Sequence, residues 1–190
     1  MLLLVGLGNP GSNYTNTRHN IGFKIIDAIN VHFKLSKQKP KFKGLLTTGN
    51  IDEKKIYAIK PLTFMNNSGT AIKELIDYFK IDAKDVFVFH DDMDIDFGKI
   101  KAKFGGSSAG HNGIESIDKF IGKEYSRVRI GIGHPKIKKR VNNHVLEDFK
   151  DDEEEKINDI TKNIVKQLST LIEKKIDLFS SKVNQNLNGI

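Results

Sequence analysis

The chain has 190 residues, 38% apolar and 29% charged, and its Lys and Arg exceed Asp and Glu by seven. That length suits one domain with a sizeable core, and the composition excludes both a disordered tail and a membrane-spanning chain, since no apolar run approaches eighteen residues. The lack of cysteine excludes disulfide staples, thiolate metal sites and cysteine nucleophiles, and fits a cytoplasmic protein.

Strand-like and helix-like segments alternate along the chain, with no repeat and no linker rich in Pro or Gly, so a single α/β domain over residues 1–190 is the economical reading. Met1–Val5 is too short and too uncharged at its start for a signal peptide. Like Val86–Phe89, it reads as a central strand buried on both faces. Ile21, Ile25, Ala28, Ile29 and Val31/Phe33 recur at helical spacing. Lys55–Lys60 predicts a strand, and Ile72, Leu75, Ile76 and Phe79 predict a second helix. Gly98–Phe104 predicts a strand whose alternation puts Lys99, Lys101 and Lys103 on one face. Ile114, Ile117 and Ile121 mark a third helix, and Arg127–Ile132 a further strand. A long helix is expected from about Asp151, where acids crowd its first turn, with Ile157, Ile160, Ile164, Leu168 and Leu171 buried. Beyond Ser180, residues 181–190 are expected to fray, Asn184 to Gly189 above all.

The charge is uneven. Residues 147–159 hold eight acids and two lysines, leaving 29 basic against 16 acidic residues elsewhere. That surplus of +13 points to a polyanionic partner.

Two motifs mislead. Gly6-Leu7-Gly8-Asn9-Pro10-Gly11 spells a dinucleotide fingerprint after a strand, but Pro10 to Tyr14 reads as a turn and no helix opens across the glycines. Asp92-x-Asp94-x-Asp96 resembles a calcium loop, yet Phe97 stands at the required glycine and Lys103 at the bidentate acid. The first is a tight turn at a strand's carboxyl end. The second is an acidic turn, with a two-metal hydrolase as its sharper alternative.

Polar residues concentrate in five blocks: Asn9, Tyr14 and Thr17-Arg18-His19-Asn20; Thr63 to Gly69; His90-Asp91; Gly106 to Gly113; and Gly131 to Pro135. In order they read GLGNPG followed by Tyr, TRHNIGF, PLTFMNNSG, HDDMD, AGHNG and RIGIGHP, and together they closely resemble the bacterial peptidyl-tRNA hydrolases. The resemblance implies a monomeric single domain with a twisted mixed β-sheet flanked by α-helices. It implies an esterase that cuts the bond between a peptide and the 3′ ribose of tRNA, recycling prematurely released peptidyl-tRNA, with no metal or cofactor and no obligatory protein partner. It would engage the acceptor stem and 3′ end. Carried over by position, His19 is the catalytic histidine and Asp91 its partner. Asn9, Asn66 and Asn112 hold substrate, Tyr14 and Met65 line the site, and Lys103 and Arg129 meet tRNA. One departure is Ala109, where the family usually has glycine.

The residues make chemical sense without the name. Ester hydrolysis needs an activated water, and an imidazole titrating near neutrality can take its proton while a carboxylate fixes the tautomer. With neither cysteine nor a Gly-x-Ser-x-Gly elbow, direct attack by water is simpler than an acyl-enzyme. Amide side chains can grip a peptide backbone whatever its sequence, though an asparagine in a turn ordinarily tolerates αL backbone or caps a helix. Of the other histidines, His90 is expected to end a strand, His111 to support the pair, His134 to shape a turn or approach phosphate, and His144 to border the site. His32 is expected to face solvent. Lys136, Lys138, Lys139 and Arg140 form a basic loop that could meet an acceptor stem. A non-catalytic RNA-binding protein on the same fold and a metal-dependent hydrolase are the rival readings.

Overall fold

The computed structural model describes residues 1–135 and 141–187. In chain order the elements are β1 (Leu2–Gly6), α1 (Ile21–His32), β2 (Lys39–Lys41), β3 (Gly44–Ile51), β4 (Lys54–Pro61), α2 (Ser68–Phe79), β5 (Val86–Asp92), β6 (Ile100–Phe104), α3 (Asn112–Ile121), β7 (Ser126–Gly131), α4 (Val141–His144), α5 (Asp151–Lys166), α6 (Leu168–Ile172) and α7 (Ile176–Leu187). The strands form one seven-stranded mixed sheet in the order β2-β3-β4-β1-β5-β7-β6. β4, β1, β5 and β7 run parallel, while β2, β3 and β6 are antiparallel to their neighbours.

The two apolar runs lie at the centre because helices cover both sides of them. Leu2, Leu4, Phe87 and Phe89 face a core shared with α1 and α5 to α7. Leu3, Val5, Val86 and Val88 face a second core shared with α2 and α3. Near-continuous apolar sequence is what strands buried on both faces require.

Chain connections leave β1 and β5 toward opposite edges, so a crevice opens between their carboxyl ends, where α/β sheets place ligands. Close approach of α1 sets its depth. A Cβ on Gly22 would run into the Leu7 nitrogen and the Phe89 carbonyl oxygen, and one on Gly6 into the Gly22 carbonyl. Glycine at both points lets the helix backbone rest on β1 and β5, bringing the residues just ahead of α1 to the crevice.

Three expectations need correction. Gly44–Ile51 was not anticipated as a strand because Gly44, Gly49 and Asn50 break its alternation. It forms a hairpin with β4 through Asp52 and Glu53, both at positive φ (46° and 63°), a turn ordinarily marked by glycine or asparagine. The long late helix is broken into α5 and α6, although Ile157, Ile160, Ile164, Leu168 and Leu171 are all buried as expected.

Residues 181–187 do not fray but continue α7, whose Phe179 and Val183 are fully buried; residues 188–190 lie outside the described residues. Ser180 Oγ accepts the Ala102 N–H at 2.8 Å, and Asn184 Oδ1 accepts the Ile100 N–H at 2.9 Å while its Nδ2 donates to the Ile100 carbonyl at 2.7 Å. The side chains of α7 thereby satisfy the open edge of β6, an edge that would otherwise invite another strand.

The helix–strand approach predicts that Gly22→Ala lowers stability by ~3 kcal/mol, the upper end for overpacking, because the clash is with backbone on two strands. An unchanged urea midpoint would show that α1 can lift away.

Candidate active site

Asp91 is the last residue but one of β5. Strand alternation turns His90 toward the α2/α3 side and Asp91 toward the mouth of the crevice, 1% exposed. Its Oδ1 receives two hydrogen bonds, from His19 Nδ1 at 2.8 Å and from His111 Nε2 at 3.0 Å. His111 is also the N-cap of α3, its Nδ1 accepting from the Gly113 and Ile114 amides at 3.1 and 3.3 Å. A nitrogen that accepts from backbone carries no proton, so His111 is neutral with its proton on Nε2, aimed at Asp91. His19 then donates from Nδ1, so that in its neutral ring Nε2 is the basic nitrogen. The two rings lie 4.9 Å apart.

The site's protonation follows. Burial works against charge on both partners. For His19 the nearby Asp91 anion and its hydrogen bond outweigh burial, so the pKa is raised above the ordinary 6.5. For Asp91 burial would raise the carboxyl, but the charge His19 carries when protonated and the hydrogen bonds from His111 and His19 hold it far below the usual carboxylate range. Burial pushes His90 well below 6.5. His90 is therefore a neutral core histidine, donating from Nδ1 to the Asp91 carbonyl at 2.7 Å and set edge-on to His111 at 4.8 Å.

His19 is held by backbone and by a buried arginine. Its N–H donates to the Val145 carbonyl at 2.8 Å, the Arg18 N–H to Glu147 at 3.0 Å, and Thr17 bridges Asp148. The Arg18 guanidinium, 3% exposed, donates to the Asp148 carbonyl at 2.8 Å and to Glu153 at 2.7 Å and lies over Phe149. The acidic run at the start of α5 thus anchors the histidine segment as well as suiting the helix dipole. A lone arginine and a distant acidic run gave no sequence signal of their partnership.

A cavity of about 520 Å³ opens over His19 and Asp91, lined further by Asn9, Phe64, Met65, Asn66, Met93, His111, Asn112, Val145 and Leu146, among others. Asn9 is buried and mostly structural: its Oδ1 accepts the Met65 N–H at 2.8 Å, and its own N–H and carbonyl pair with the Asn20 amide at 2.8 and 2.9 Å. Only its Nδ2 has no partner among the described residues. Asn66 and Asn112 are exposed on the cavity wall and make no side-chain hydrogen bond among the described residues. Met65, largely buried, lines the cavity against Gly113. Tyr14 does not line the cavity; it meets it through an edge-on contact with Phe64, ring centroids 6.3 Å apart. Phe64, 52% exposed with φ of 54°, was not singled out from sequence.

The basic residues divide. Arg129 Nε donates to Asp92 at 2.7 Å. Lys103 makes no ion pair among the described residues, lies under Gly106 of the glycine-rich loop, and has its pKa lowered by burial and by the positive Arg129 and Arg127 nearby. Arg127, buried beneath the same loop, donates to the Ser107 carbonyl at 2.7 Å and to Asp118 at 2.6 Å. Ala109 occupies the left-handed region, φ 49°, which costs a residue with a Cβ roughly 1–2 kcal/mol. His134 pairs with Asp94 at 2.9 Å on the surface, and His144 donates to the Ile132 carbonyl at 3.2 Å, behind the cavity. Lys136, Lys138, Lys139 and Arg140 lie outside the described residues.

His19, Asp91 and His111 also bring three ligand-type atoms within 4.8 Å of one another. A metal there would have to displace both N–H protons that Asp91 now accepts. The arrangement as it stands moves protons: one free imidazole nitrogen, an anion behind it, and neutral amides around the opening.

If the Asp91 charge raises the His19 pKa, Asp91→Asn moves the acid limb of the kcat/KM profile to lower pH, because the stabiliser of the imidazolium is gone, while the plateau falls. A plateau loss with an unmoved limb would mean that Asp91 only orients the ring.

The family model described as peptidyl-tRNA hydrolase matches residues 3–189. A peptidyl-tRNA hydrolase of Pelagibacter ubique is 72% identical over 184 residues, covering 97% of this chain and 99% of that protein. One from Ehrlichia ruminantium is 46% identical, covering 95% and 93%. The crystal structure of peptidyl-tRNA hydrolase from Acinetobacter baumannii superposes with a TM-score of 0.90 at 34% identity, over 97% of this chain and 94% of that one. The likeness spans nearly the whole chain in sequence and in fold, and the chain belongs to the peptidyl-tRNA hydrolase family.

Proposed function

We propose that this protein is an enzyme hydrolysing the ester between peptide and tRNA in peptidyl-tRNA, and that it does so in the cytoplasm as a single-domain monomer, returning tRNA to translation. The observation that carries the mechanism is the shared Asp91 oxygen, which holds His19 Nδ1 as a donor and leaves Nε2 as the nitrogen that gains and loses the proton.

In the first step Nε2 takes a proton from water as the oxygen attacks the ester carbonyl carbon, and Asp91 stabilises the imidazolium formed. Collapse of the tetrahedral adduct breaks the bond to the ribose 3′ oxygen, which takes the proton back from His19. Free carboxyl and free 3′ hydroxyl result. Asn112 and Asn66 offer unengaged amides to the ester and adjoining peptide groups, and Asn9 offers Nδ2. Neutral donors suit a carbonyl whose charge appears only in the transition state. Met65 forms part of these walls, and Tyr14 supports them through Phe64. Lys103 and Arg129, with Lys99 and Lys101 beside them, face tRNA phosphates. Of these, Lys103 has the stronger claim, because Arg129 already serves Asp92.

His19→Ala should fold normally and lose at least ~10² in kcat; near-native turnover by the folded variant would sink the mechanism. Asn112→Ala and Asn66→Ala should each cost ~1–3 kcal/mol in kcat/KM with little change in stability. Asn9→Ala should also lower the melting temperature, since it frees the Met65 amide. Equal thermal stability of all three variants would contradict the structural share assigned to Asn9.

Counterion release predicts that Lys103→Ala flattens the dependence of log KM on log salt by about one unit for full-length peptidyl-tRNA. Hydrolysis of a peptide esterified to a terminal nucleotide fragment should barely respond. Identical salt slopes for wild type and variant would place the phosphates elsewhere.

A further inference from the structure

Five lysines, Lys34, Lys37, Lys39, Lys41 and Lys43, fall within ten residues, and no Asp or Glu occurs between Asp27 and Asp52. All five are exposed. The only ion pair any of them makes among the described residues is Lys43 with Glu74 at 3.5 Å.

Their backbone is rigidly mounted. The Ser36 N–H donates to the Thr48 carbonyl at 2.9 Å and Ser36 Oγ accepts the Thr48 N–H at 2.9 Å. Gln38 Nε2 donates to Asp27 at 2.6 Å. Lys39 to Lys41 pair with β3 as β2, where i and i+2 side chains share a face ~6.6 Å apart. The Lys41 ammonium is poised over the rings of Phe42, Tyr78 and Phe79, 4.8 to 5.9 Å from their centroids.

This ridge adjoins the active-site end of the sheet. The Lys43 carbonyl accepts the Leu62 N–H at 2.8 Å, two residues ahead of Phe64 on the cavity wall. Yet β2 and β6 are opposite edges of the sheet, ~29 Å apart at the usual strand spacing, with the cavity between them. We propose that Lys34–Lys43 is a second RNA-backbone contact surface, separate from the Lys99–Lys103 face and on the other side of the ester site. Lysine and proline on an edge strand also discourage strand addition, but that purpose needs neither the lysines outside the strand nor an acid-free stretch of this length. The ligand is ribose–phosphate backbone, belonging either to the body of the substrate tRNA or to another RNA.

The test measures dissociation constants of uncharged tRNA and of an unrelated RNA hairpin over a salt series, for wild type, the triple variant Lys37→Gln/Lys39→Gln/Lys41→Gln, and the same positions changed to Arg. The Gln variant should bind more weakly and its log–log salt slope should flatten by about two to three units, with the Arg variant near wild type. Flattening with tRNA alone identifies the substrate's own body, and flattening with both RNAs identifies RNA backbone in general. Equal slopes for wild type and Gln variant on both RNAs overturn the proposal and leave edge protection as the purpose. Should the triple variant self-associate, Lys34→Gln/Lys37→Gln, outside the strand, applies the same criterion. The inference rests on an RNA substrate, and hydrolysis of the short fragment separates the two failures: a Gln variant with full fragment turnover and an unaltered slope refutes the ridge alone, whereas a wild type inert on peptidyl-tRNA refutes the function.

Discussion

A single buried carboxylate oxygen organises this molecule. Burying an anion is costly unless hydrogen bonds compensate, and Asp91 Oδ1 is compensated by two imidazole donors from distant parts of the chain, His19 ahead of α1 and His111 at the cap of α3. Neither donor can drift without leaving the anion under-satisfied. The demand for position then spreads outward, to the glycine contact that seats α1 on β1 and β5, to Arg18 on α5, and to Arg127 under the loop that leads to His111. Those arginines hold backbone carbonyls as well as carboxylates, so each ties a loop in place.

Sharing one oxygen also divides the labour between two similar side chains. His111 spends Nδ1 on the amides of α3 and is locked as a neutral donor. His19 makes no such backbone bond through its ring, so its Nε2 remains available. The difference comes from chain position, one ring sitting where a helix begins with unsatisfied amides, the other in a turn whose amides are already taken by Val145 and Glu147. Two histidines on one carboxylate would look interchangeable from sequence.

What the sequence made legible follows the range of the interactions concerned. Central strands show because burial on both faces imposes apolar runs that need no partner to be recognised, and α1, α2 and α3 show by their stripes. Four of the polar blocks follow or end the parallel strands at their carboxyl ends, whereas Gly106 to Gly113 follows antiparallel β6 and returns to the cavity at His111. Less legible was whatever depends on a distant partner: β3, whose glycines make sense only beside Leu35 and β4; α7, whose Asn and Ser resemble a fraying tail until they meet the unpaired edge of β6; and Asn9, whose side chain serves Met65 first and faces the cavity with one nitrogen. Phe64 gave no signal at all, because a strained, exposed aromatic in a turn is visible only in its backbone angle.

The electrostatics follow the same rule. A surplus of +13 outside residues 147–159 points correctly to a polyanion, but charge counted along a chain differs from charge available at a surface. Arg127 is buried against Asp118, Arg129 is paired with Asp92, Lys60 with Asp27 and Lys24 with Glu154. A paired cation must share or surrender its carboxylate before it can displace a counterion from phosphate, so it adds less to binding than its charge implies. The acids at the start of α5 are likewise partly spent on Arg18 and Lys24, which reduces their repulsion of RNA. The cations left to meet a polyanion are those with no carboxylate in reach, and among the described residues discussed above they gather in two places, on β6 and along Lys34–Lys41, flanking the cavity where the ester must lie.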